Sequence, residues 1–331
     1  MKQQFIALTA ALSLAATGLT ACAGSDAESD NDPVSGGAIR VTGSATVEPI
    51  TSFIADRTDH DVRISADGST DGFEAFCDGK SDLNDSSVAI PQEYQQQCSD
   101  NGVEFIELPI ALDAVTIVKH ADNTWAQDLT TEQLHDIWAA DSPVTKWSDI
   151  DPSWPDEEIS LYGRPDGSGT LEVFKDKVLG GDTIRDDYEA TDDIDELSGW
   201  IADDPNGIGF MGVGNYLATD GETRDLIDNV LVDGVSPSRE ATQEGEYPLS
   251  RPLFVYVSAE VLDGNDALAD FMGTYLNRVE GVLPRVYFYQ LPEQEYNDAR
   301  TRFDDRVTGA DDRWSTSSTT YGAMVGPLLS L

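Results

Sequence analysis

The stretch Ser160-Leu161-Tyr162-Gly163-Arg164-Pro165-Asp166-Gly167-Ser168-Gly169-Thr170-Leu171 passes from a short apolar run, through a loop of Gly, Ser and Thr, into the stripe Leu171, Phe174 and Val178. Residues 160–162 read as a buried strand, and the stripe reads as one face of a helix. The same succession occurs twice upstream. Residues 38–42 read as a strand, followed by Gly43-Ser44-Ala45-Thr46-Val47 and by Ile50, Phe53 and Ile54 at i, i+3, i+4. Residues 61–66 read as a strand, followed by Gly68-Ser69-Thr70-Asp71-Gly72 and by a helix lined by Phe73, Phe76 and Cys77. Strands alternating with helices make the class α/β. Further strands are expected at 105–108, 115–118, 208–211 and 253–257. Helices are expected at 130–138, opened by a Thr-Thr-Glu cap signal, at 265–279 and at 292–303. No repeat of fixed period is present, and the tail from 313 to 331 has no reading.

The chemistry lies in the three loops. A helix start offers unpaired backbone N–H groups and about half a positive charge. Glycine lets an anion approach the backbone, and hydroxyls add donors, so each loop can form a site for an oxyanion. Taken singly, Ser or Thr before a helix is ordinarily just an N-cap. The third loop adds Arg164, four residues before Ser168. Its planar fork suits a tetrahedral oxyanion, with Asp166 placed to hold it. The alternative for Arg164 is a surface ion pair.

A chain of 331 residues has room for two domains. Lys and Arg total 20 against 62 Asp and Glu, a net charge of -42. That excludes a phosphate backbone as partner, and so nucleic acid, and it excludes docking on anionic lipid by charge. A solvated acidic surface suits a saline habitat, where salt screens self-repulsion. The alternative is simply a very soluble exported protein.

The first residues are short and basic, and 5–19 form an apolar stretch too short to span a bilayer, ending in Leu19-Thr20-Ala21-Cys22. Residues 1–21 read as a signal peptide, and the Leu-Thr-Ala-Cys end resembles the bacterial lipobox, in which the cysteine becomes the lipidated N-terminus. Cys22 is therefore the expected lipid anchor, residues 22–37 a flexible tether, and the extracytoplasmic face of the cell membrane the expected location. Cys77 and Cys98 remain. In an exported chain they most simply pair, closing a loop worth roughly 3 kcal/mol on the chain-entropy model. The alternative is two buried thiols.

Arg164-Pro165-Asp166-Gly167-Ser168-Gly169-Thr170 resembles a motif of the phosphate-binding proteins of Pst-type ABC transporters. Residues 43–49 resemble that family's first loop. Asp71-Gly72-Phe73, Cys77-Asp78-Gly79 and Ser81-Asp82 resemble a segment of its lipoprotein branch. Residues 207–214 and Tyr247-Pro248-Leu249-Ser250-Arg251-Pro252-Leu253 resemble its second-lobe strand and return crossover. The resemblance runs from about residue 40 to 257. It implies a two-lobed, Venus-flytrap, periplasmic-binding-protein-like (type II) fold, with lobe 1 formed by 38–112 plus 255–331 and lobe 2 by 113–254.

The resemblance further implies phosphate clasped between the lobes. Thr46, Val47 (through its N–H) and Ser69 would contact it from one side, and Arg164, Ser168, Gly169 and Thr170 from the other. Ser87 stands where many relatives carry a carboxylate that accepts the phosphate proton. Asp85, Asp166 or Asp71 is left to supply that acceptor. Arg251 is expected to be structural. The implied protein is a monomeric receptor that hands phosphate to membrane permease subunits, without cofactor, metal or covalent chemistry.

Two rivals stand beside this reading. One is a receptor for another oxyanion, such as sulfate or molybdate. The other is a secreted phosphoester hydrolase with Ser168 as nucleophile and His60, His120 or His135 as base. Gly207-Ile208-Gly209-Phe210-Met211-Gly212 matches the dinucleotide motif G-x-G-x-x-G, but it is read as a strand with no helix behind it and so is set aside. The acid pairs at 192–193, 203–204, 304–305 and 311–312 read as solvated surface. Trp125, Trp138, Trp147 and Trp154 read as packing residues.

Overall fold

The computed structural model describes residues 37–315. The expected signal peptide, Cys22, the tether up to residue 36 and the tail from 316 lie outside the described residues.

The described residues begin with β1 (Ile39–Gly43), α1 (Glu48–Ala55), β2 (Val62–Ser65), α2 (Ser69–Cys77), β3 (Leu83–Ser86) and α3 (Gln92–Asp100). It crosses on β4 (Phe105–His120) to β5 (Asp128–Leu129), α4 (Thr131–Trp138), α5 (Trp147–Ile150), β6 (Ser160–Gly163), α6 (Gly169–Leu179) and β7 (Glu189–Ala190). Next come α7 (Ile194–Asp203), β8 (Gly207–Gly212), α8 (Val213–Ala218), α9 (Gly221–Arg224), β9 (Ile227–Asn229), β10 (Leu231–Val232) and α10 (Arg239–Gln243). It returns on β11 (Ser250–Ser258) to α11 (Ala259–Gly264), α12 (Asp266–Val282), α13 (Glu293–Asp304) and α14 (Asp312–Ser315).

The strands are ordered β2-β1-β3-β11-β4-β8-β6-β7, with β9 on the far half of β4. Pairs made through helical crossovers, β1 with β2 and β3 and β6 with β7 and β8, are parallel. The two long connecting strands, β4 and β11, run antiparallel to each other. The expected strands at 105–108 and 115–118 are thus one buried strand of 16 residues. Its first half pairs with β11 and its second with β8 and β9. The sequence misleads at Pro109, which lacks the N–H that a ladder needs. The strand survives because the register shifts between Leu253 and Phe254, which leaves Ile110 without a partner on β11. The Tyr296 hydroxyl donates to the Ile110 carbonyl at 3.2 Å.

The apolar faces meet in two main cores. The first gathers Val41, Ile50, Leu112, Val255 and Phe271 under α1 and α12. The second gathers Val115, Ile117, Trp138, Phe174 and Phe210 around β8 and α6. There Phe174 stacks on Phe210 at 4.2 Å between ring centroids, and Trp138 stands edge-on to both. Such pairs add to burial because the ring edge is positive and the face negative. A smaller core holds Phe73, Phe76 and the Cys77–Cys98 disulfide, which ties α2 to α3.

Thr130 caps α4 as expected, with Gln133 as its reciprocal partner. One local expectation needs correction. The glycine-rich strand β8 does have a helix behind it, since α8 starts at Val213. Its glycines nevertheless serve packing. A Cβ on Gly207 would stand 2.9 Å from the Tyr162 ring, and one on Gly209 2.6 Å from the Tyr162 carbonyl oxygen.

Candidate functional site

The three Gly/Ser/Thr loops follow β1, β2 and β6. If their hydroxyls were N-caps, they would accept the first helical N–H groups. They do not: the N-cap positions of α1, α2 and α6 are Val47, Gly68 and Ser168, and none makes a side-chain cap. Elsewhere the same residue types do cap. Thr130, Asp193, Ser238, Ser258 and Asn265 each accept a backbone N–H at their helix starts. In these three loops the hydroxyls of Thr46, Ser69 and Ser168 instead meet Arg251, Ser87 and Arg164.

The loops also converge. Gly43 takes φ +120°, a conformation that L side chains rarely adopt, and a Cβ there would lie 2.0 Å from the Asp85 carbonyl oxygen. Gly68 N–H donates to the Gly43 carbonyl at 2.9 Å. A Cβ on Gly72 would stand 2.4 Å from Gly43 Cα, so α2 starts against the first loop. The start of α6 meets the same loop from the second core. A Cβ on Gly169 would fall 1.7 Å from Thr46 Oγ1.

The individual side chains divide into three contacts. In the first loop, Ser44 N–H donates to the Asp85 carbonyl at 2.8 Å, which fixes the loop to β3. The Val47 N–H, expected to face the anion, donates to the Ser44 carbonyl at 3.1 Å, so the Thr46 side chain is what this loop offers. At α2, Ser69 Oγ accepts the Ser87 N–H at 3.1 Å and lies 3.2 Å from Ser87 Oγ. At α6, Arg164 Nε donates to Ser168 Oγ at 3.4 Å. Asp166 was expected to hold Arg164, but Asp192 does so. The guanidinium donates to the Asp192 carbonyl at 2.9 Å and to its carboxylate at 3.0 Å. Burial lowers the Arg164 pKa, and Asp192 opposes that shift. Thr170 Oγ1 lies beside the start of α8, 3.8 Å from where a Cβ of Gly212 would be.

A cleft of about 1310 Å³ opens beside these loops, lined by Ser69, Thr70, Ser87, Glu172 and Arg251. Arg251, read from sequence as structural, lies within this constellation. Its Nη2 donates to the Gly169 carbonyl at 2.9 Å and to Thr46 Oγ1 at 3.3 Å. Nothing in the spacing of its Pro-Leu-Ser-Arg-Pro-Leu segment marks it, because it reaches the loops through the antiparallel register of β11 on β4.

The acids left as possible proton acceptors also separate. Asp71 lines the cleft in the first turn of α2. Asp85 turns into the first core, toward Thr51 and Tyr275, and among the described residues neither of its carboxylate oxygens has a hydrogen-bond partner. Burial first, and the nearby Glu48 charge second, push its pKa up to about 8. Thr51 works the other way, but its hydroxyl is engaged with Tyr275 Oη at 3.2 Å. The histidines have their own partners. His60 bonds Asp270, His120 accepts the Asp122 N–H, and His135 lies 3.8 Å from Asp136. Among the described residues none is hydrogen-bonded to Ser168.

Residues 23–276 match the family model described as a PBP superfamily domain. The chain belongs to the PBP superfamily. It is 36% identical over 284 residues to the protein SphX of a Synechocystis species, covering 82% of this chain and 83% of that one. It is 30% identical over 287 residues to the phosphate-binding protein PstS of Staphylococcus saprophyticus, covering 84% and 87%. Among solved structures it resembles a possible phosphate binding protein from Planctomyces limnophilus. There the TM-score is 0.73 at 28% identity, covering 82% of this chain and 99% of that one. The expected two-lobed α/β architecture of the PBP superfamily is the one found here, with one main core per lobe and β4 and β11 joining them.

Proposed function

We propose that this chain is an extracytoplasmic receptor that captures inorganic phosphate between its lobes and delivers it to an ABC importer. The observation that carries this reading is the convergence of three hydroxyl-bearing helix starts with no side-chain cap: α1 on the first core, α2 on the smaller core with the disulfide, and α6 on the second core. Such a site neutralises an anion with dipoles rather than net charge, which suits a chain at -42. Thr46, Ser69 and Ser87 would donate from lobe 1, and Arg164, Ser168, Gly169 and Thr170 from lobe 2. The relatives named phosphate-binding point the same way. Binding and release need no covalent step, and the histidine partners away from Ser168 speak against a hydrolase. The division into 38–112 plus 255–331 and 113–254 is supported by the cores at its first boundary, with Leu112 in the first and Ala114 in the second, whereas at the return Leu249 belongs to the second and Leu253 already to the first, which favours a boundary between those two residues.

The anchor is part of this proposal. Leu19-Thr20-Ala21-Cys22 supports a mature chain beginning at a lipidated Cys22, and among the described residues no helix is long and apolar enough to cross a membrane. Mass spectrometry of the N-terminal peptide from membranes should find diacylglycerol on Cys22. An unmodified, soluble N-terminus would remove the anchor from the reading.

Titration calorimetry tests the ligand. Phosphate should bind tightly at one site, and Arg164→Ala should weaken it by roughly 30-fold or more. Deleting one partner of a desolvated charge pair costs about 2–5 kcal/mol. Sulfate should bind at least about 100-fold more weakly if Asp71 or another carboxylate accepts the phosphate proton, since sulfate has none to offer. Equal affinity for the two ions would make the chain a general oxyanion receptor.

A further inference from the structure

Arg251 and Asp113 sit directly opposite each other on β11 and β4, the two strands that join the lobes. Both are buried, at 8% and 6% exposed. Arg251 Nε lies 3.4 Å from Asp113 Oδ2. From this crossing point the guanidinium reaches both ways. Nη2 donates to Thr46 Oγ1, whose loop packs on the first core, and to the Gly169 carbonyl, at the start of the helix on the second. Nη1 lies 4.0 Å from Glu172 at the cleft edge.

We propose that Arg251 is the latch of the closed state: one guanidinium, held by Asp113 at the crossover, ties the anion-facing loop of one lobe to that of the other. The proposal rests on the phosphate reading above and adds a residue that stabilises closure and orients the donors.

Two consequences for the donors follow from hydrogen-bond chemistry. A hydroxyl that accepts a hydrogen bond from Arg251 must point its own proton elsewhere, so Thr46 is left as a donor toward the space between the lobes. The Gly169 carbonyl belongs to the same peptide unit as the Thr170 N–H. Donation to that oxygen polarises the peptide and strengthens the N–H at its other end. The two contacts can exist together only when the lobes have closed, so the latch adds free energy to the closed state alone. A lysine at this position would keep a charge, but its single nitrogen on a flexible stem cannot hold Asp113 and reach the Thr46 and Gly169 oxygens at once, as Nε and Nη2 of the planar fork do.

The test compares the wild type with Arg251→Lys and with the double variant Asp113→Asn/Arg251→Gln. The double variant avoids leaving a buried carboxylate unpaired. Phosphate release is followed by stopped flow, and compaction by small-angle scattering with and without saturating phosphate. Both variants should release phosphate at least about 10-fold faster, since the loss of closed-state contacts falls mainly on dissociation. Both should remain more expanded than the wild type in phosphate, with the ligand-free melting temperature of the double variant close to that of the wild type. A merely structural arginine would lower the melting temperature and leave ligand-induced compaction unchanged. Release rates and compaction equal to the wild type in both variants would overturn the latch. If the wild type takes up no phosphate, the functional reading falls separately, and the ligand-free scattering profiles alone decide the latch. More expanded variants then support it, and identical profiles overturn it.

Discussion

Replacing Gly169 by alanine is expected to weaken phosphate binding by about 100-fold while leaving the ligand-free chain at least as stable. The reason is the contact between lobes. The added Cβ would stand 1.7 Å from Thr46 Oγ1 and 3.0 Å from Thr46 Cβ, so rotating the threonine hydroxyl away does not clear it. It would also stand 3.4 Å from Arg251 Nη2. Threonine is β-branched and has little χ1 freedom to offer. Either the first loop or the start of α6 must move outward, and forced overpacking of this kind typically costs about 1–3 kcal/mol.

That cost falls on the closed state only. With the lobes apart, position 169 is the first residue of α6, where alanine is preferred over glycine by up to about 1 kcal/mol. Affinity then drops in proportion to the fraction of closed, binding-competent molecules, and a cost near 2.7 kcal/mol corresponds to about 100-fold. Gly199→Ala is the control. It lies within α7, and a Cβ there would meet nothing within 4 Å. Calorimetry on both variants decides the matter: Gly169→Ala binding as tightly as the wild type would mean that the lobes do not meet at Thr46 when phosphate is held.

What could be read from the sequence follows from where the signal is local. The strand-loop-helix successions are local, and each of the three loops lies where the apolar pattern changes period, between β1 and α1, β2 and α2, and β6 and α6. The partners of Arg164 and Arg251 are not local. Asp192 is 28 residues beyond Arg164, in a chain where 62 acids make every arginine look paired. Arg251 finds Asp113 across 138 residues through strand register, and Thr46 across 205 through lobe closure. The single strand β4 was hidden for a related reason. Pro109 and Asp113 look like interruptions of an apolar run, but one is absorbed by a register shift and the other is paired from the neighbouring strand. The hydroxyl clusters were ambiguous because a cap and an uncapped loop have the same composition. Only the hydrogen bonds that are made, or not made, distinguish them.

Asp85 gives the second large effect, on stability rather than binding. Its carboxyl is buried with no hydrogen-bond partner among the described residues, and its pKa is pushed up to about 8, against about 3.9 in an unfolded chain. Between those values the folded chain holds a proton that the unfolded chain has shed. Stability therefore falls as pH rises through this window, by up to about 1.4 kcal/mol per pH unit and on the order of 5 kcal/mol across it. Of the groups facing the carboxyl only the Thr51 hydroxyl works against this, and it does not offset the burial. Glu48 on α1 adds a like charge, and Tyr275 on α12 is itself raised well above its usual range. Asp85→Asn removes the titration with little change of shape. The stability difference, variant minus wild type, should grow steadily in favour of the variant from about pH 5 to pH 8. Urea denaturation of both chains at matched salt across that range measures it directly. The comparison cancels the other carboxylates, which both chains share. Parallel curves would mean that Asp85 is not the protonated group. The position also matters for the site, because the Asp85 carbonyl accepts the Ser44 N–H at 2.8 Å. An ionised Asp85 would bring water or strain to β3 directly beneath the first loop. Phosphate affinity of the wild type should then weaken above pH 8, while that of Asp85→Asn stays level.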